Sequence, residues 1–525
     1  MEVQTGRGAQ KESANGWLGK HKAGTLIIVV FSIVYFADVL VRASDKFFWY
    51  DELFTVYLCR LPSMHALWAA LANGTDFNPP LFYLVTRAST RLLGEGNVGA
   101  RLPEILGYWI FSLCLYRFAS RRSGVLGGAI AMLFPMATSA YYYAYEARPH
   151  AIVFGFCGLA MVCWQMAEEP EARQLAAFAG FGAALFGALM MHCYALVLLG
   201  PFACAEIVRM AQTRRVRWGF WAALILPAVV ALVVYVPLLR SYTHAQTTTT
   251  FRTVALAGWS QVGHFFGSLW APCMAIVAAI FVILLFDFSD RRVTFATGVR
   301  DDLILAASFL LMPVFGVVLG KLTHGPFFHR YFYTAVGGMA VALGIGTAAL
   351  RNGRMRAALA IAALLAVSIL VNTGRLAAAR LRGQGERLGE ESAGFRLETT
   401  PGKPLAMHSL LTEDRSGLPI AVVNPFDYIY LAYYAPQLEQ RLYSVAQSAS
   451  DYTYFGFERL KQCCGVFAHE PVTAADFARE HERYLVYGDG GTPDQILTLA
   501  DPGTCAEAIQ FRDEHFLARV SRKRD

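Results

Sequence analysis

Long apolar runs separated by short polar segments dominate the first 372 residues of the chain. Most runs hold about 17–22 residues, the length at which an α-helix crosses a hydrocarbon core of about 30 Å. The pattern predicts eleven membrane-spanning helices, give or take two, at residues 24–41, 101–118, 124–144, 149–167, 174–190, 193–210, 219–239, 270–286, 302–320, 331–350 and 355–372.

Two runs need separate interpretation. The run at 24–41 is long and no small-residue cleavage site follows it, so we interpret it as a retained first helix rather than a signal peptide. The short run at 79–93 carries Arg87 and Arg91, and we interpret it as a helix at the membrane interface. With that choice the basic loops fall on the side of the N-terminal lysines, which the positive-inside rule places in the cytoplasm.

The chain divides into three parts on this basis. A cytoplasmic tail (1–23) precedes a transmembrane domain (24–372), whose first outer loop is residues 42–100. In residues 373–525 short apolar pieces alternate with helix-like ones, which predicts a small extracytoplasmic α/β domain with a mostly parallel sheet.

Composition supports the membrane class. Of 525 residues, 55% are apolar and 16% charged, with a mean hydropathy of +0.39, whereas soluble domains are about a quarter charged. The net charge of +7 arises largely from the basic loops, so we predict no nucleic-acid partner. The fold class is therefore a polytopic α-helical membrane protein.

Ten cysteines occur without any CxxC pair, which disfavours a zinc or redox motif. Cys463 or Cys464 could form a disulfide with Cys505 if the C-terminal domain faces an oxidising compartment. The sequence leaves this open.

The candidate functional residues all fall at predicted outer ends of helices. In "FFWYDELFT", Asp51 and Glu52 follow four aromatic residues that would anchor the segment at the interface, although a solvated loop pair is the alternative. Adjacent side chains point in different directions, so one carboxylate would face the reaction and the other would assist it. Further candidates, each with a simpler structural alternative, are Asn78, Glu146, Arg148, His192, Tyr194, Lys321, His324 and Arg330.

Their chemistry favours group transfer. Cations at an outer membrane face contradict the positive-inside rule, and an anionic ligand would explain Lys321, His324 and Arg330 better than snorkelling does. An arginine fork suits a phosphate. An acid such as Asp51 could deprotonate an acceptor hydroxyl while the cations stabilise a departing lipid phosphate.

Six motifs resemble the polytopic glycosyltransferases with the C-type fold, which use polyprenyl-phosphate sugars. This superfamily includes the protein O-mannosyltransferases, the aminoarabinose transferases of lipid A and the RgtA/B/C/D-like galacturonosyltransferases. The similar stretches, in family order over about residues 25–350, are "FFWYDELFT", "DFNPPLFYLVTR", "RLPEILG", "AYEARPHAI", "MHCYALVLL" and "HRYFYTAVGG".

The resemblance implies an inverting transfer to an extracytoplasmic lipid, glycan or protein of the cell envelope, lipopolysaccharide included. It implies that Asp51 is the catalytic carboxylate, that Glu52 assists it, and that Arg330, with the neighbouring Tyr331, binds donor phosphate. Departures are Asn78, where the family usually has His, and Tyr145, where it often has Gln. No cofactor is certain; Asp51, Glu52 and Glu146 could ligate a divalent metal.

Two rival classes remain. A lipid-linked-glycan flippase would need ionisable groups deep within its spans, and the middles of the predicted spans are nearly free of charge. The second rival is a non-catalytic envelope-assembly protein. In that case sugar transfer would be unchanged when Asp51 is replaced by Asn.

Overall fold

The computed structural model describes residues 6–168, 171–248, 257–287, 297–323, 327–346, 354–382, 409–446, 460–461, 463–465, 468–469, 472–489, 504–512 and 515–522. It divides into two compact units. The helical unit comprises Met1–Asp45, Leu92–Val233 and Ala255–Phe395. The sheet unit comprises Lys46–Arg91, Val234–Val254 and Arg396–Asp525, so much of the first outer loop groups with the C-terminal residues.

Helices account for most of the described chain. In chain order they are α1 (Gly6–Asp45), α2 (Tyr50–Arg60), α3 (Met64–Ala72), α4 (Pro80–Leu93), α5 (Asn97–Leu133), α6 (His150–Met166), α7 (Glu171–Met191), α8 (Leu199–Thr213), α9 (Trp218–Thr248), α10 (Ser260–Trp270), α11 (Met274–Asp287), α12 (Thr297–Leu310), α13 (Met312–Thr323), α14 (Ala335–Gly346), α15 (Arg354–Leu381), α16 (Ser409–Glu413), α17 (Pro425–Tyr434) and α18 (Ala474–Glu480). Short 3₁₀ segments, notably Ser139–Tyr145, Cys193–Leu198 and His329–Phe332, connect some of them.

Several of these helices suit a bilayer. Among the described residues seven are long and apolar enough to cross it: Lys22–Asp45, Asn97–Ala137, Arg173–Met191, Cys193–Thr213, Trp218–Leu238, Ser260–Ile283 and Met355–Ala378. Two bent pairs raise the number to nine if each pair is one span. The multi-pass class is confirmed, whereas the count of eleven is not confirmed within the described residues.

Breaks in the helices have identifiable causes. Ser139–Tyr145 and His150–Met166 are bent by 111°, and Pro149, which cannot donate a backbone hydrogen bond, precedes the second of them. The helices predicted at 101–118 and 124–144 correspond to two parts of α5 that meet at Gly124, whose φ of 73° is the left-handed value that favours glycine. The second part ends at Leu133, and the 3₁₀ segments Phe134–Ala137 and Ser139–Tyr145 follow it. In the predicted run at 79–93, Pro80–Leu93 form α4, a 14-residue helix shorter than a membrane span.

Small residues permit close helix packing in the helical unit. A Cβ atom on Gly107 would lie 2.4 Å from the Cα atom of Ile152, and one on Gly155 would lie 2.7 Å from the Gly107 carbonyl oxygen. Glycines at such a crossing let two backbones approach closely, which favours association in a membrane. This contact holds α5 against α6.

The sheet unit contains six strands: β1 (Ile420–Val422), β2 (Leu442–Ala446), β3 (Val472–Thr473), β4 (Arg483–Asp489), β5 (Thr504–Arg512) and β6 (His515–Arg522). Their order is β3-β2-β1-β4-β6-β5. The neighbouring strands β3, β2, β1 and β4 are parallel to one another, and β6 is antiparallel to both β4 and β5. The central β1 is buried on both faces, as a parallel strand between two cores requires. The predicted α/β fold with a mostly parallel sheet is confirmed.

All ten cysteines are free thiols in the structure. The disulfide considered between Cys505 and either Cys463 or Cys464 is therefore not formed.

Candidate active site

The sequence "FFWYDELFT" forms the start of α2. Trp49 is extended, with φ −86° and ψ 170°, and the helix begins at Tyr50. The Glu52 side chain, which is fully buried, turns back and accepts the backbone N–H of Trp49 at 3.2 Å. Lys46 Nζ lies 3.1 Å from the same carboxylate oxygen. Glu52 therefore closes the first helical turn, as the acid of a capping box does.

Asp51 occupies the same first turn but has a different environment. It is 8% exposed, and its backbone carbonyl accepts a hydrogen bond from the Thr55 hydroxyl at 3.4 Å. Neighbouring helical positions point about 100° apart, so Asp51 does not share the capping task of Glu52. A carboxylate is the kind of group that can act as a general base.

Asn78 lies in the turn before α4, also in the sheet unit. It is 3% exposed, and its side-chain amide lies 3.5 Å from the Asp76 carboxylate. Asp76 also accepts the backbone N–H of Phe77 at 2.7 Å. These contacts order the turn that precedes Pro80, where α4 begins.

A second group of candidates lines one cavity in the helical unit. The cavity is partly open to solvent, which is included in its empty volume of about 300 Å³, and its lining includes His192, Tyr194, Arg330 and Tyr331. These residues come from two sequence-distant stretches, "MHCYA" and "HRYFY". The structure thus brings together four residues that the sequence nominated separately.

Ring contacts organise this cavity. Tyr194 and Tyr331 stack with centroids 4.1 Å apart, and His192 lies 4.9 Å from Tyr331. His192 Nδ1 accepts the backbone N–H of Tyr194 at 3.0 Å. A neutral imidazole that accepts at Nδ1 carries its proton on Nε2. His192 can therefore present an N–H donor away from the helix turn that it caps.

Arg330 supplies the charge of the cavity lining. Its guanidinium lies over the rings of Phe328 and Tyr331, 5.0 and 5.5 Å from their centroids. Burial, and next the charge of His264, lowers the pKa of the neighbouring His329, which favours a neutral ring at neutral pH. Arginine remains protonated, so a cation on an aromatic platform faces the cavity.

One lining residue was missed as a candidate. His150 follows Pro149 at the start of α6 and is 5% exposed. Its ring lies 5.3 Å from that of His192 and 4.8 Å from that of Tyr143. The sequence did contain a signal, a histidine directly after Pro149 in "EARPHA".

Glu146 and Arg148 form the turn that leads into α6. Glu146 is fully buried and Arg148 is half-buried. The Arg148 N–H donates to the Glu146 carbonyl at 2.8 Å, and the His150 N–H donates to the Arg148 carbonyl at 2.7 Å. Both residues thereby set the position of His150, although neither lines the cavity itself.

The two remaining candidates lie elsewhere. Lys321 is exposed, and its ammonium lies over the Trp259 ring at 5.1 Å from the centroid. It is not part of the cavity lining. His324 lies outside the described residues.

The sequence analysis also missed a buried ion pair in α1. Arg42 Nε lies 2.6 Å from Asp38 Oδ2. The same carboxylate accepts hydrogen bonds from the Tyr141 hydroxyl at 2.7 Å and the Thr373 hydroxyl at 2.8 Å. The pair lines a cavity of about 440 Å³. An acid and a base four positions apart in an apolar run were the signal that could have revealed it.

No group of three or more His, Cys, Asp or Glu side chains with metal-binding geometry occurs within the part of the chain that the structure describes. We therefore assign no residue to a metal.

Comparison with known proteins decides the fold. Residues 78–240 match a family model described as dolichyl-phosphate-mannose-protein mannosyltransferase. The structure is similar to that of ArnT from Cupriavidus metallidurans bound to undecaprenyl phosphate, with a TM-score of 0.54 and 16% identity, over 96% of this chain and 98% of ArnT.

The apo state of the same ArnT matches with a TM-score of 0.55 and 17% identity, over 97% of this chain and 98% of ArnT. This chain has the C-type glycosyltransferase fold. No curated protein matches it.

These findings agree with the predicted resemblance to the polyprenyl-phosphate-sugar-dependent glycosyltransferases, and they establish the fold. The segment that matches the family model begins at Asn78 and includes Glu146, Arg148, His192 and Tyr194. Asp51 and Arg330 lie outside the matched segment, so their roles depend on the geometry described above.

Proposed function

We propose that this membrane glycosyltransferase transfers a sugar from a polyprenyl phosphate to an extracytoplasmic hydroxyl, with inversion at the anomeric carbon. The cavity lined by Arg330 carries the proposal, because it combines a fixed cation with aromatic faces and imidazole donors. Such a lining suits a sugar phosphate: the guanidinium forks onto phosphate oxygens, and the rings pack on the sugar.

Asp51 acts as the base in the proposed step. Its carboxylate takes the proton of the acceptor hydroxyl as the oxygen attacks the anomeric carbon. The new bond joins that carbon to the acceptor oxygen, the bond from the carbon to the phosphate oxygen breaks, and polyprenyl phosphate leaves with both electrons. Arg330 neutralises the charge that develops on the leaving phosphate.

Other candidates have supporting parts in this proposal. His192, Tyr194 and Tyr331 position the donor within the cavity, and Glu146 and Arg148 set the turn that carries His150. Glu52 and Asn78 hold the turns next to Asp51 and Asp76 in place.

We also propose a donor lipid and a membrane location for this chain, on the basis of its structural neighbours. The ArnT structure contains undecaprenyl phosphate, and we propose a polyprenyl phosphate of the same kind as the carrier here. We further propose that the chain resides in the inner membrane, with residues 373–525 outside, and that its acceptor belongs to the cell envelope. Cys505, which is exposed, would then react with a membrane-impermeant maleimide added to intact spheroplasts.

The test is sugar transfer by purified protein. Wild-type protein in detergent is incubated with a panel of polyprenyl-phosphate sugars and envelope acceptors, and release of free polyprenyl phosphate is measured. Asp51→Asn keeps the size of the side chain but removes its basicity, and we expect a rate loss of about 10²–10⁴-fold, the usual worth of a positioned base.

Asp414→Asn, a carboxylate change elsewhere in the sheet unit, is the matched control and should retain wild-type turnover. Unchanged transfer by Asp51→Asn would overturn the assignment of the base. Absence of transfer by wild-type protein across the panel, together with donor translocation in proteoliposomes, would favour the flippase class instead.

A further inference from the structure

Two tyrosines of α17 contact the backbone of the segment that carries Asp51. The Tyr434 hydroxyl accepts the backbone N–H of Phe48 at 2.7 Å, and the Tyr430 hydroxyl accepts the backbone N–H of Tyr50 at 3.1 Å. The two tyrosines are four positions apart, so they share one face of α17, and their rings stack at 6.4 Å. We call these two hydrogen bonds the tyrosine clasp.

The clasp supplies acceptors to N–H groups at the start of α2. Phe48 and Trp49 are buried, Trp49 is extended, and Tyr50 is the first residue of the helix, where N–H groups take acceptors from outside the helix. Glu52 takes the N–H of Trp49 between the two tyrosine contacts. Three consecutive N–H groups therefore each meet a side-chain acceptor, and a buried one left unsatisfied would cost about 1–3 kcal/mol.

Ring packing reinforces the same contact. Phe47 meets Tyr434 edge-on at 5.5 Å, and Tyr50 lies against Phe426 at 4.3 Å. Burial raises the pKa of Tyr430, with the charge of Glu52 adding to the effect against the hydrogen bond from Tyr50, so the hydroxyl stays neutral.

The helix α17 is itself rigidly anchored. Asn424 caps it by accepting the Phe426 N–H at 2.9 Å, and Tyr428 and Leu431 lie in the core that covers one face of the sheet. The position of the Asp51 turn is thereby tied to the strands of the sheet unit.

We propose that Tyr430 and Tyr434 are positioning residues for Asp51, acting through the backbone of residues 48–50; this inference rests on the proposed function of Asp51. The C-terminal domain is then part of the catalytic apparatus and not only a surface for the acceptor. A shift of about 1 Å in a catalytic group can cost about 10²-fold in rate. Loss of the clasp should therefore lower kcat, while donor affinity, which Arg330 and its cavity provide, is unaffected.

The test uses the full-length variants Tyr430→Phe, Tyr434→Phe and the double variant, which remove the hydroxyl oxygens and keep the rings. Tyr443→Phe is the matched control, because this tyrosine lies on β2 of the same unit and stacks on His469. Hydrogen exchange of the peptide covering residues 47–54 reports the clasp, and steady-state kinetics report its consequence.

We expect faster exchange of that peptide in the double variant, with exchange of β4 unchanged as evidence of a retained fold. We expect kcat to fall about 10–100-fold with KM for the donor within twofold, and each single variant to show a smaller fall. Tyr443→Phe should match wild type in both measurements.

Faster exchange with unchanged kcat would overturn the positioning role, and unchanged exchange would overturn the clasp itself. A wild-type protein without sugar transfer would contradict the proposed function instead, and the exchange measurement would still decide whether the clasp exists.

Discussion

Lys46 Nζ lies 3.1 Å from Oε2 of Glu52, and this carboxylate oxygen also accepts the Trp49 N–H at 3.2 Å. Glu52 is fully buried, whereas Asp51 beside it retains some exposure. The two adjacent acids therefore differ in environment: Glu52 holds the turn, and Asp51 is the one for which we propose the role of the base.

Replacing Glu52 should affect stability more than the chemical step. Glu52→Gln keeps an acceptor for the Trp49 N–H but leaves Lys46 without its counter-charge, and we expect a loss of about 1 kcal/mol in unfolding free energy. Glu52→Ala also removes the cap and should lose about 2–3 kcal/mol. Thermal unfolding in detergent, measured beside sugar transfer, checks this order. Abolished transfer by Glu52→Gln at an unchanged melting temperature would show that Glu52 reacts directly.

Arg330 and Lys321, both nominated as phosphate ligands, should behave differently. Arg330→Lys retains the charge but loses the planar fork, and we expect kcat/KM for the donor to fall about 10–100-fold. Lys321 is exposed over Trp259, so Lys321→Gln should stay within twofold of wild type. Steady-state release of polyprenyl phosphate checks both. A larger loss for Lys321→Gln than for Arg330→Lys would assign the phosphate to the other cation.

The sequence predicted the class of this protein well because hydrophobic periods are local signals. Runs of about 20 apolar residues predicted the spans, and the alternation after residue 372 predicted the α/β domain. Less local features were harder to predict. The break in α5 at Gly124 lies where the sequence predicted a new helix to begin, but its left-handed backbone is a feature that no apolar period reveals.

The candidate site shows the same limit. Motifs nominated His192, Tyr194, Arg330 and Tyr331, which line one cavity. The tyrosine clasp was not predictable, because Tyr430 contacts a residue 380 positions away in the chain. Hydrogen bonds at that separation depend on the tertiary fold, and a single sequence carries no period that reports them.

The pair of Asp414 and Arg441 should make the sheet unit sensitive to acid. Burial raises the pKa of Asp414, but hydrogen bonds from Arg441, at 2.6 Å, and from Ser416 outweigh it, so the net shift is downward. A carboxyl group with a lowered folded-state pKa contributes stability above its unfolded pKa of about 3.9, and this contribution is lost as the pH falls through the folded value.

Asp414→Asn should therefore be less stable than wild type at pH 7, and the difference should shrink as the pH falls from about 3.9 to 3. Hydrogen exchange of β1 and β2 in the full-length protein between these pH values measures it. A difference that stays constant down to pH 3 would show that the ionised carboxylate is not the source of the stability.

The buried ion pair of Asp38 and Arg42 in the helical unit should contribute to stability cooperatively. The carboxylate accepts from Arg42, Tyr141 and Thr373, and the two charged residues are only 2% and 5% exposed. Removing one partner takes away the opposite charge beside the other, and breaking a buried ion pair in this way typically costs about 3–5 kcal/mol. We therefore expect Asp38→Asn and Arg42→Met each to lower the unfolding free energy strongly.

The double variant should recover part of that loss, because it buries no unpaired charge. A coupling energy of about 1–3 kcal/mol between the two positions is expected for residues in one network. Denaturant unfolding of the four proteins in detergent measures this cycle. The control is Arg209→Gln, which alters an ion pair with Glu206 elsewhere in the helical unit. Its loss in unfolding free energy should add to that of Asp38→Asn or Arg42→Met without coupling. Purely additive losses for Asp38 and Arg42 would mean that the two charges are stabilised separately, and the pair would then have no role in holding α1 against the segment Ser139–Tyr145.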